Sequence, residues 1–353
     1  MKKIAVMTGG GDCPGLNAGI RAVVRSGLSH DIETLGIHNG WQGLIESDLE
    51  ILTEASVSGI TSLGGTILGT SRTDPLKKPG DMEKIRDTIK KYNIDAMVVI
   101  GGNGTLSAGY ELVSKGIPLV AVPKTIDNDI FGTDLAVGFD TAVSIVTEAI
   151  DRLHTTAESH HRIMVIETMG RSVGWIALMA GIAGGADLIL IPEIRFTMDD
   201  VCQDLKARYL AGKKFSIVVV AEGTHHEDIT NTTVSECNRD ECGHEKFVGV
   251  GNLLGKELEK RLNIETRVTV LGHVQRGGMP TSFDRVLATR FGVSAIEQIV
   301  ADNFGCMVAL QGNRIVTVPL RDVATRIRAV NHDLYLDAKR VMNAKGYIHN
   351  SLS

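Results

Sequence analysis

The chain is poor in aromatic residues, has few cysteines and carries no excess of positive charge. Phe, Trp and Tyr make up only 4% of its residues, which argues against a nucleic-acid surface built from stacked aromatic rings. Its formal net charge is -5, so it lacks the overall basic field that attracts nucleic acid or an anionic membrane. We therefore expect a protein that binds neither nucleic acid nor membranes.

Long hydrophobic runs are also missing. Only four apolar residues lie between Lys3 and Thr8, fewer than the about 7–15 of a secretory signal. Residues 175–191 form the most apolar stretch, but glycines and Asp187 interrupt it, which predicts a buried helix followed by a strand. The five cysteines are odd in number and widely spaced, which is typical of a reducing compartment. These features predict a cytoplasmic protein.

What the sequence does contain is an alternation of short apolar runs with longer stretches of helical spacing. The runs predict strands at residues 4–8, 96–100, 119–122, 163–167, 188–191, 216–221, 267–271 and 306–310. The spacing predicts helices at residues 81–92, 141–157, 198–210 and 284–302. Because 353 residues suit two domains, we expect an α/β protein with two doubly wound domains, each a mostly parallel sheet with helices on both faces.

Two glycine-rich turns follow predicted strands. Residues 9–19 read GGGDCPGLNAG and residues 101–105 read GGNGT, each leading into a predicted helix. Glycines let backbone N–H groups approach phosphate oxygens, and a helix N-terminus adds a positive dipole end. Neither turn is a P-loop or a dinucleotide fingerprint. At one sheet edge the two turns could hold both ends of a polyphosphate; the alternative is a pair of tight turns without a ligand.

The sharpest motif is PKTIDND at residues 123–129, which places Asp127 and Asp129 two residues apart after a strand. Phosphoryl transfer needs a base near the accepting hydroxyl and a carboxylate near the metal ion. The alternative is a turn in which both side chains bond only to local backbone.

Five arginines lie at the ends of apolar runs or in glycine-containing loops: Arg72, Arg162, Arg171, Arg267 and Arg276. Guanidinium groups bind phosphate in a bidentate manner, so this set predicts anion binding. His273 lies three residues before Arg276 and is predicted to contact a substrate. The alternatives are that the arginines are solvated surface charges and that His273 is a structural histidine.

Residues 224–247, which are polar and contain His and Cys, are predicted to form a surface insertion. A metal site is the alternative, but the spacing of these His and Cys residues is not a standard zinc pattern.

Taken together, GGGDCPGLNAGIR, GGNGT, PKTIDND, ETMGR at residues 167–171 and LGHVQRGG at residues 271–278 resemble the 6-phosphofructokinase family. The resemblance runs from Lys3 to about Val318 and leaves out only the insertion. It implies transfer of the γ-phosphoryl group of ATP to the 1-hydroxyl of fructose 6-phosphate, with Mg²⁺ as cofactor. It also implies a larger donor-binding domain at residues 1–138 and 276–325, and a smaller sugar-phosphate domain at residues 139–275 and 326–353.

The resemblance also assigns roles. Asp127 is the base, Asp129 positions Mg²⁺ with Asn103, Thr125 supports the transferring phosphate, and Arg72 and Arg171 stabilise transition-state charge. The donor set comprises Gly11, Arg72, Asn103, Gly104, Thr105 and Lys124. The substrate set comprises Thr125, Asp127, Arg162, Met169, Gly170, Arg171, Glu222, Arg267, His273 and Arg276. In the family, Arg162 and Arg267 reach a neighbouring subunit's site, which implies a homo-oligomer, either a dimer or a tetramer.

Three positions bear on the donor and on catalysis. ATP-using members usually have Asp where this chain has Asn103, and a catalytically weak sugar-phosphate sensor is one alternative on that ground. Gly104 favours ATP, because pyrophosphate enzymes carry Asp there. Lys124 is shared with the pyrophosphate enzymes, but an ATP-using subgroup combines Gly with Lys, so we expect ATP. A pyrophosphate-dependent fructose 6-phosphate 1-phosphotransferase is the first alternative.

A further departure from the family pattern concerns regulation. Arg21, Arg25 and Lys213 match the family's basic effector pocket, but Glu54 and His154 stand where the pattern has arginines. Because two positive charges are lost, we expect weak or absent control by ADP and phosphoenolpyruvate.

Overall fold

The computed structural model describes residues 2–224 and 249–342. It divides into two compact units, one formed by Met1–Thr141 with Arg276–Arg328 and the other by Ala142–Gln275 with Ala329–Ser353. We call them unit 1 and unit 2. Most of the predicted insertion at residues 224–247 lies outside the described residues.

The strands are β1 (Lys3–Gly9), β2 (Glu33–Ile37), β3 (Leu49–Leu52), β4 (Ala96–Gly101), β5 (Leu119–Pro123), β6 (Ile163–Thr168), β7 (Leu188–Leu190), β8 (Ser216–Ala221), β9 (Thr266–Val270), β10 (Cys306–Gln311) and β11 (Arg314–Pro319). The helices are α1 (Leu16–Leu28), α2 (Trp41–Glu46), α3 (Asp81–Tyr92), α4 (Asn103–Ser114), α5 (Phe139–His160), α6 (Trp175–Ala183), α7 (Met198–Leu210), α8 (Val250–Leu262), α9 (Ser282–Val300), α10 (Leu320–Ala324) and α11 (His332–Met342). Short 3-10 turns lie at Ile60–Ser62 and Gly272–Arg276.

Unit 1 is built on a seven-stranded sheet with the order β11-β10-β5-β4-β1-β2-β3. The five central strands run parallel, and the two edge strands, β3 and β11, are antiparallel to their neighbours. The register pairs Ile4 with Ala96 and Met97 with Leu119. β1, β4 and β5 therefore end side by side at one edge of the sheet, which is where open α/β sheets bind ligands.

Helices cover both faces of this sheet, which explains why its central strands are largely apolar. Met7 and Val99 pack in one buried cluster with Trp41 of α2 and Leu106 of α4. On the other face, a Cβ added to Gly19 of α1 would lie 3.5 Å from the Ile100 side chain of β4. A Cβ on Gly292 of α9 would lie 2.6 Å from the Cβ of Ala22, so α1 and α9 are in close contact.

Unit 2 contains a four-stranded, fully parallel sheet with the order β7-β8-β6-β9. Val165 and Val220 pack with Leu205 of α7 and Leu254 of α8 in one buried cluster. Helix α6 lies against β7, because a Cβ on its Gly181 would come within 2.6 Å of the Ile189 side chain. The carboxyl ends of β6, β8 and β9 share one edge, as those of β1, β4 and β5 do in unit 1.

The predicted α/β class is confirmed, and all eight predicted strands are present, as is the helix-then-strand reading of residues 175–191. Strands β2, β3 and β11 were not predicted. β3 and β11 are edge strands with several exposed residues, so they lack the continuous apolar run that marks the buried strands. Within the described residues, no helix is long and apolar enough to cross a membrane. The described cysteines, Cys13, Cys202 and Cys306, are buried and free.

Candidate active site

The glycine turn after β1 (Gly9–Asp12, here called the glycine loop) is held by hydrogen bonds with three residues, Lys124, Thr70 and Ser71. The buried Lys124 ammonium donates to the carbonyl oxygens of Gly9, at 2.9 Å, and of Gly11. Thr70 donates its hydroxyl to the Gly10 carbonyl at 2.6 Å, and the Gly10 amide donates to the Ser71 carbonyl at 3.0 Å. The loop is thereby joined to the segment that carries the exposed Arg72.

Arg276 reaches the same loop. Its guanidinium donates to the Asp12 carbonyl at 2.8 Å, and a Cβ on Gly11 would lie 2.7 Å from its Nη1. The resemblance assigned Arg276 to the sugar phosphate; in unit 1 its observed contact is with the glycine loop, through one of its several N–H groups.

The second glycine turn lies beside the first. The Lys124 amide donates to the Gly101 carbonyl at 2.9 Å, which joins the start of the PKTIDND loop to the end of β4. Thr105 is 7% exposed, and its side chain fills the space where a Cβ on Gly9 or Gly101 would lie, at 2.7 and 2.4 Å. Both glycines are therefore required by close packing.

Gly104 differs from these two. A Cβ built on it would meet nothing within 4 Å, its φ is not positive, and the residue is exposed. Neither packing nor backbone conformation requires a glycine here, so a ligand-free tight turn does not explain it. It lies in the first turn of α4, whose N-cap, Gly102, makes no side-chain capping bond. The N–H groups of a helix's first turn have no partner within the helix and can bind an anion.

The PKTIDND loop buries its polar side chains. Thr125 is 9% exposed, Asp127 is 4% exposed and Asp129 is 8% exposed. The Asp127 amide donates to Thr125 Oγ1 at 3.1 Å, and the Asp129 carbonyl accepts from the Arg328 amide at 2.9 Å. Two carboxylates therefore lie almost fully buried at the carboxyl end of β5, where desolvation strengthens their action on a bound ligand.

Asn128, between the two aspartates, is the residue that bonds to local backbone. It has φ 52°, donates through Nδ2 to the Asp134 carbonyl at 3.2 Å and accepts at Oδ1 from the Ala136 amide at 3.0 Å. Its own carbonyl accepts from the Arg328 guanidinium at 3.3 Å. The turn-forming role considered for the aspartates thus falls to Asn128.

Asn103 and Asp129 are in contact. Asn103 Nδ2 donates to Asp129 Oδ2 at 2.8 Å, while Asn103 Oδ1 is buried without a hydrogen-bond partner in the described part of the chain. A buried amide oxygen beside a carboxylate suits a hard cation such as Mg²⁺, which takes oxygen ligands and often only one or two carboxylates. Among residues 2–224 and 249–342, no group of three or more His, Cys, Asp or Glu side chains could hold a metal ion.

In unit 2, the carboxyl edge carries a second set of predicted residues. Glu222, just after β8, accepts at Oε1 from the amides of Gly170, at 3.3 Å, and Arg171, at 3.0 Å. Arg171 has φ 54°, a strained conformation for a residue with a side chain. Gly223 permits it, because a Cβ there would lie 1.7 Å from the Arg171 carbonyl oxygen.

Gln275 fixes the neighbouring loop. It is fully buried, accepts from the Met169 amide at 3.2 Å and donates to the Gly272 carbonyl at 3.0 Å. The 3-10 turn Gly272–Arg276, which contains Gln275, also carries His273, whose side chain is exposed. Met169, Gly170, Arg171, Glu222 and His273 therefore come together at one edge of the unit 2 sheet.

Arg162 and Arg267 lie at the opposite end of the unit 2 sheet, at the amino-terminal ends of the parallel strands β6 and β9. Both pair with Glu265: Arg162 Nε lies 2.6 Å from Glu265 Oε2, and Arg267 bonds to Oε1. The hydrogen bond from Arg162 is the main cause that lowers the pKa of Glu265. Since β6 separates Arg162 from Met169, the two edges are roughly 20 Å apart at about 3.3 Å per residue.

Three residues that support the site were not singled out from the sequence: Asn128, Gln275 and Arg328. Asn128 lies within the PKTIDND motif and Gln275 within the LGHVQRGG motif. An amide side chain inside a loop motif can bond to the loop backbone, so the sequence did contain a signal for their structural role. Arg328 had none, because its contact with Asn128 spans 200 positions.

An α/β chain with two glycine-rich turns and two buried carboxylates at the carboxyl ends of neighbouring parallel strands has the features of a phosphotransferase. The family model described as Phosphofructokinase matches residues 3–299. The chain therefore belongs to the phosphofructokinase family.

Similar proteins include enzymes named for either donor. The pyrophosphate–fructose 6-phosphate 1-phosphotransferase of Streptomyces coelicolor is 50% identical over 335 residues, covering 94% of this chain and 97% of that relative. The same organism's ATP-dependent 6-phosphofructokinase 3 is 48% identical over 341 residues, covering 96% and 100%. Among solved structures, phosphofructokinase from Saccharomyces cerevisiae is 32% identical with a TM-score of 0.79; the match covers 97% of this chain but only 47% of the yeast chain.

Proposed function

We propose that the chain is an ATP-dependent 6-phosphofructokinase, which transfers the γ-phosphoryl group of ATP to the 1-hydroxyl of fructose 6-phosphate. The observation that carries this proposal is the carboxyl edge of the unit 1 sheet, where Asp127 and Asp129 lie buried beside two glycine turns. The 48% identical ATP-dependent relative, matched over its whole length, supports the same reading.

The reaction is an in-line displacement. Asp127 accepts the proton of the 1-hydroxyl as the oxygen attacks the terminal phosphorus; a new O–P bond forms, the bridging P–O bond breaks, and ADP leaves. Thr125 lies at the transferring phosphate, and Arg72 and Arg171 neutralise charge that develops in the transition state. Catalysis rests on positioning and charge, since the chain forms no covalent bond with the phosphoryl group.

The donor set lies in unit 1. Backbone N–H groups at Gly11 and in the first turn of α4, with Asn103, Gly104 and Thr105, bind the donor phosphates together with Arg72, and Lys124 belongs to the same donor set. The open space at Gly104 supports ATP, because room for a nucleotide phosphate is the use that remains for a glycine without a packing role.

Mg²⁺ is the proposed cofactor, and it would neutralise charge on the donor phosphates. Asp129 and Asn103 would hold it, and the buried Asn103 Oδ1, which has no hydrogen-bond partner among residues 2–224 and 249–342, fits that role. Asn103 also keeps the Asp129 carboxylate in place through its amide nitrogen.

The sugar phosphate is proposed to bind Met169, Gly170, Arg171, Glu222 and His273 of unit 2, with Arg276. Arg162 and Arg267 belong to the same chemical set but lie at the other edge of their sheet, roughly 20 Å away. They cannot serve the site of their own chain. This separation supports a homo-oligomer, a dimer or tetramer, in which both arginines reach a neighbouring subunit's site.

Pyrophosphate-dependent transfer is the second candidate. Lys124 and the 50% identical Streptomyces coelicolor relative favour it. A catalytically weak sensor remains the alternative attached to Asn103, and a cytoplasmic location remains a prediction from the sequence.

Initial rates with fructose 6-phosphate and Mg²⁺, with ATP or pyrophosphate as donor, test these readings. We expect turnover with ATP. Turnover with pyrophosphate alone would replace the proposal with the second candidate, and binding of fructose 6-phosphate without turnover on either donor would favour the sensor. Sedoheptulose 7-phosphate in place of fructose 6-phosphate tests a second acceptor in the same assay.

A further inference from the structure

The glycine loop is unusual in how its carbonyl oxygens are used. Four in succession, from Gly9 to Asp12, each accept a hydrogen bond from a side chain. Lys124 supplies two of these bonds, at Gly9 and Gly11, and Thr70 and Arg276 supply one each.

The amides of the loop show the opposite pattern. The Gly10 amide donates to Ser71, whereas the amides of Gly11 and Asp12 have no protein acceptor within the described residues. A loop whose carbonyls are all bound and whose next two N–H groups have no acceptor presents donors to an anion.

Lys124 is placed to act on this loop. It is 2% exposed, and two of its three ammonium N–H donors are used on loop carbonyls. Burial lowers the pKa of this ammonium to about 8, with further effects from Cys13, Arg276, Asp12 and Asp127 around it. A buried ammonium is costly unless it is hydrogen-bonded, and here the loop carbonyls meet that need.

We propose that Lys124 is a positioning residue of the donor site: it fixes the carbonyl oxygens of Gly9 and Gly11 and thereby directs the loop N–H groups toward the donor phosphates. This inference rests on the proposed function for the identity of the donor. It assigns Lys124 a task in the glycine loop that can be carried out with either ATP or pyrophosphate as the donor.

The test compares Lys124→Met with Lys115→Met, a matched control because Lys115 is an exposed lysine of the same unit that lies just after α4. Amide hydrogen exchange is measured on the ligand-free proteins, and donor and sugar-phosphate KM values are measured in parallel. In Lys124→Met, exchange of the Gly10 amide, which donates to the Ser71 carbonyl, should be roughly 10-fold faster, because the two Lys124 bonds that hold the loop in place are lost. Exchange in α8 should stay at the wild-type rate.

The donor KM should rise by roughly 10–100-fold, while the fructose 6-phosphate KM changes less than about twofold. Lys115→Met should match the wild type throughout. A raised donor KM with unchanged loop exchange would mean that Lys124 contacts the donor directly. Faster amide exchange across the whole unit 1 sheet would mean that Lys124 has a general structural role. Either result overturns the proposal. If Lys124→Met does not fold, Lys124→Gln replaces it; because its shorter, uncharged side chain cannot reproduce both ammonium bonds, loop exchange and the donor KM should change in the same directions by smaller factors. Failure of the wild type to turn over either donor would reject the proposed function, and loop exchange would still decide the role of Lys124.

Discussion

Replacing Gly104 by aspartate tests the donor assignment with little risk to the fold. The Cβ position is open and φ is not positive, so the new side chain meets neither a clash nor a strained backbone. Glycine in a helix costs about 0.5–1 kcal/mol relative to alanine, and a carboxylate in the first turn gains about 0.3–1 kcal/mol from the helix dipole. We therefore expect the free energy of unfolding of Gly104→Asp to be unchanged or to rise by about 1 kcal/mol.

ATP-dependent turnover should nevertheless collapse. A carboxylate about 4 Å from a donor phosphate is repelled by about 4 kcal/mol at an effective dielectric constant of about 20. Since about 1.4 kcal/mol corresponds to a factor of ten, kcat/KM for ATP should fall by about 10³-fold. Pyrophosphate, which has no nucleotide to place there, should be affected less.

Initial rates with each donor and urea unfolding of the same protein separate the two effects. Gly104→Asn is the matched control, because it adds nearly the same volume without charge and should lose far less ATP-dependent activity. An unchanged KM for ATP in Gly104→Asp would mean that Gly104 does not lie beside the donor. Equal losses in both variants would attribute the effect to bulk and refute the electrostatic reasoning.

Three further predictions concern Asp127, the buried Asp284 of α9, which accepts hydrogen bonds from the amides of Gly138 and Thr141, and the Arg25–Glu54 ion pair. Asp127→Ser should lower kcat by about 10²–10⁴-fold in initial-rate assays with little change in the fructose 6-phosphate KM, and near-normal turnover would exclude Asp127 as the base. Burial raises the pKa of Asp284 from 3.8 to about 6, so its contribution to stability is present at low pH and is lost as the pH rises through about 6. Urea unfolding at pH 5 and pH 7 should therefore show that the wild type gains stability relative to Asp284→Asn at the lower pH. A stability difference that does not depend on pH would contradict this. Arg25 pairs with Glu54 at 2.8 Å, which offsets one of the charges an anionic effector needs, so phosphoenolpyruvate added to initial-rate assays should inhibit weakly; strong inhibition would show that the pocket works without the two missing arginines.

The chemistry of the unit 1 edge was readable from the sequence because its signals are local. A strand that is buried on both faces needs a near-continuous apolar run, and the polar residues that follow it must then lie at its carboxyl end. Gly101–Thr105 and Pro123–Asp129 are such segments, and the predicted strands before them are β4 and β5. The same rule could not reveal β3 and β11, whose exposed edge positions remove the pattern.

Only the tertiary structure decided which polar groups meet. That Lys124 bonds to the glycine loop, and that Arg276 bonds to Asp12, depends on strands and loops that are more than 100 positions apart along the chain. Glu265 likewise meets Arg162 only because β6 and β9 lie side by side. Residue types and their spacing determined the fold class and the kind of chemistry, since periodicity and turn preferences act over a few residues. The partners of each charge were set by sheet order and register, which exist only once the chain has packed.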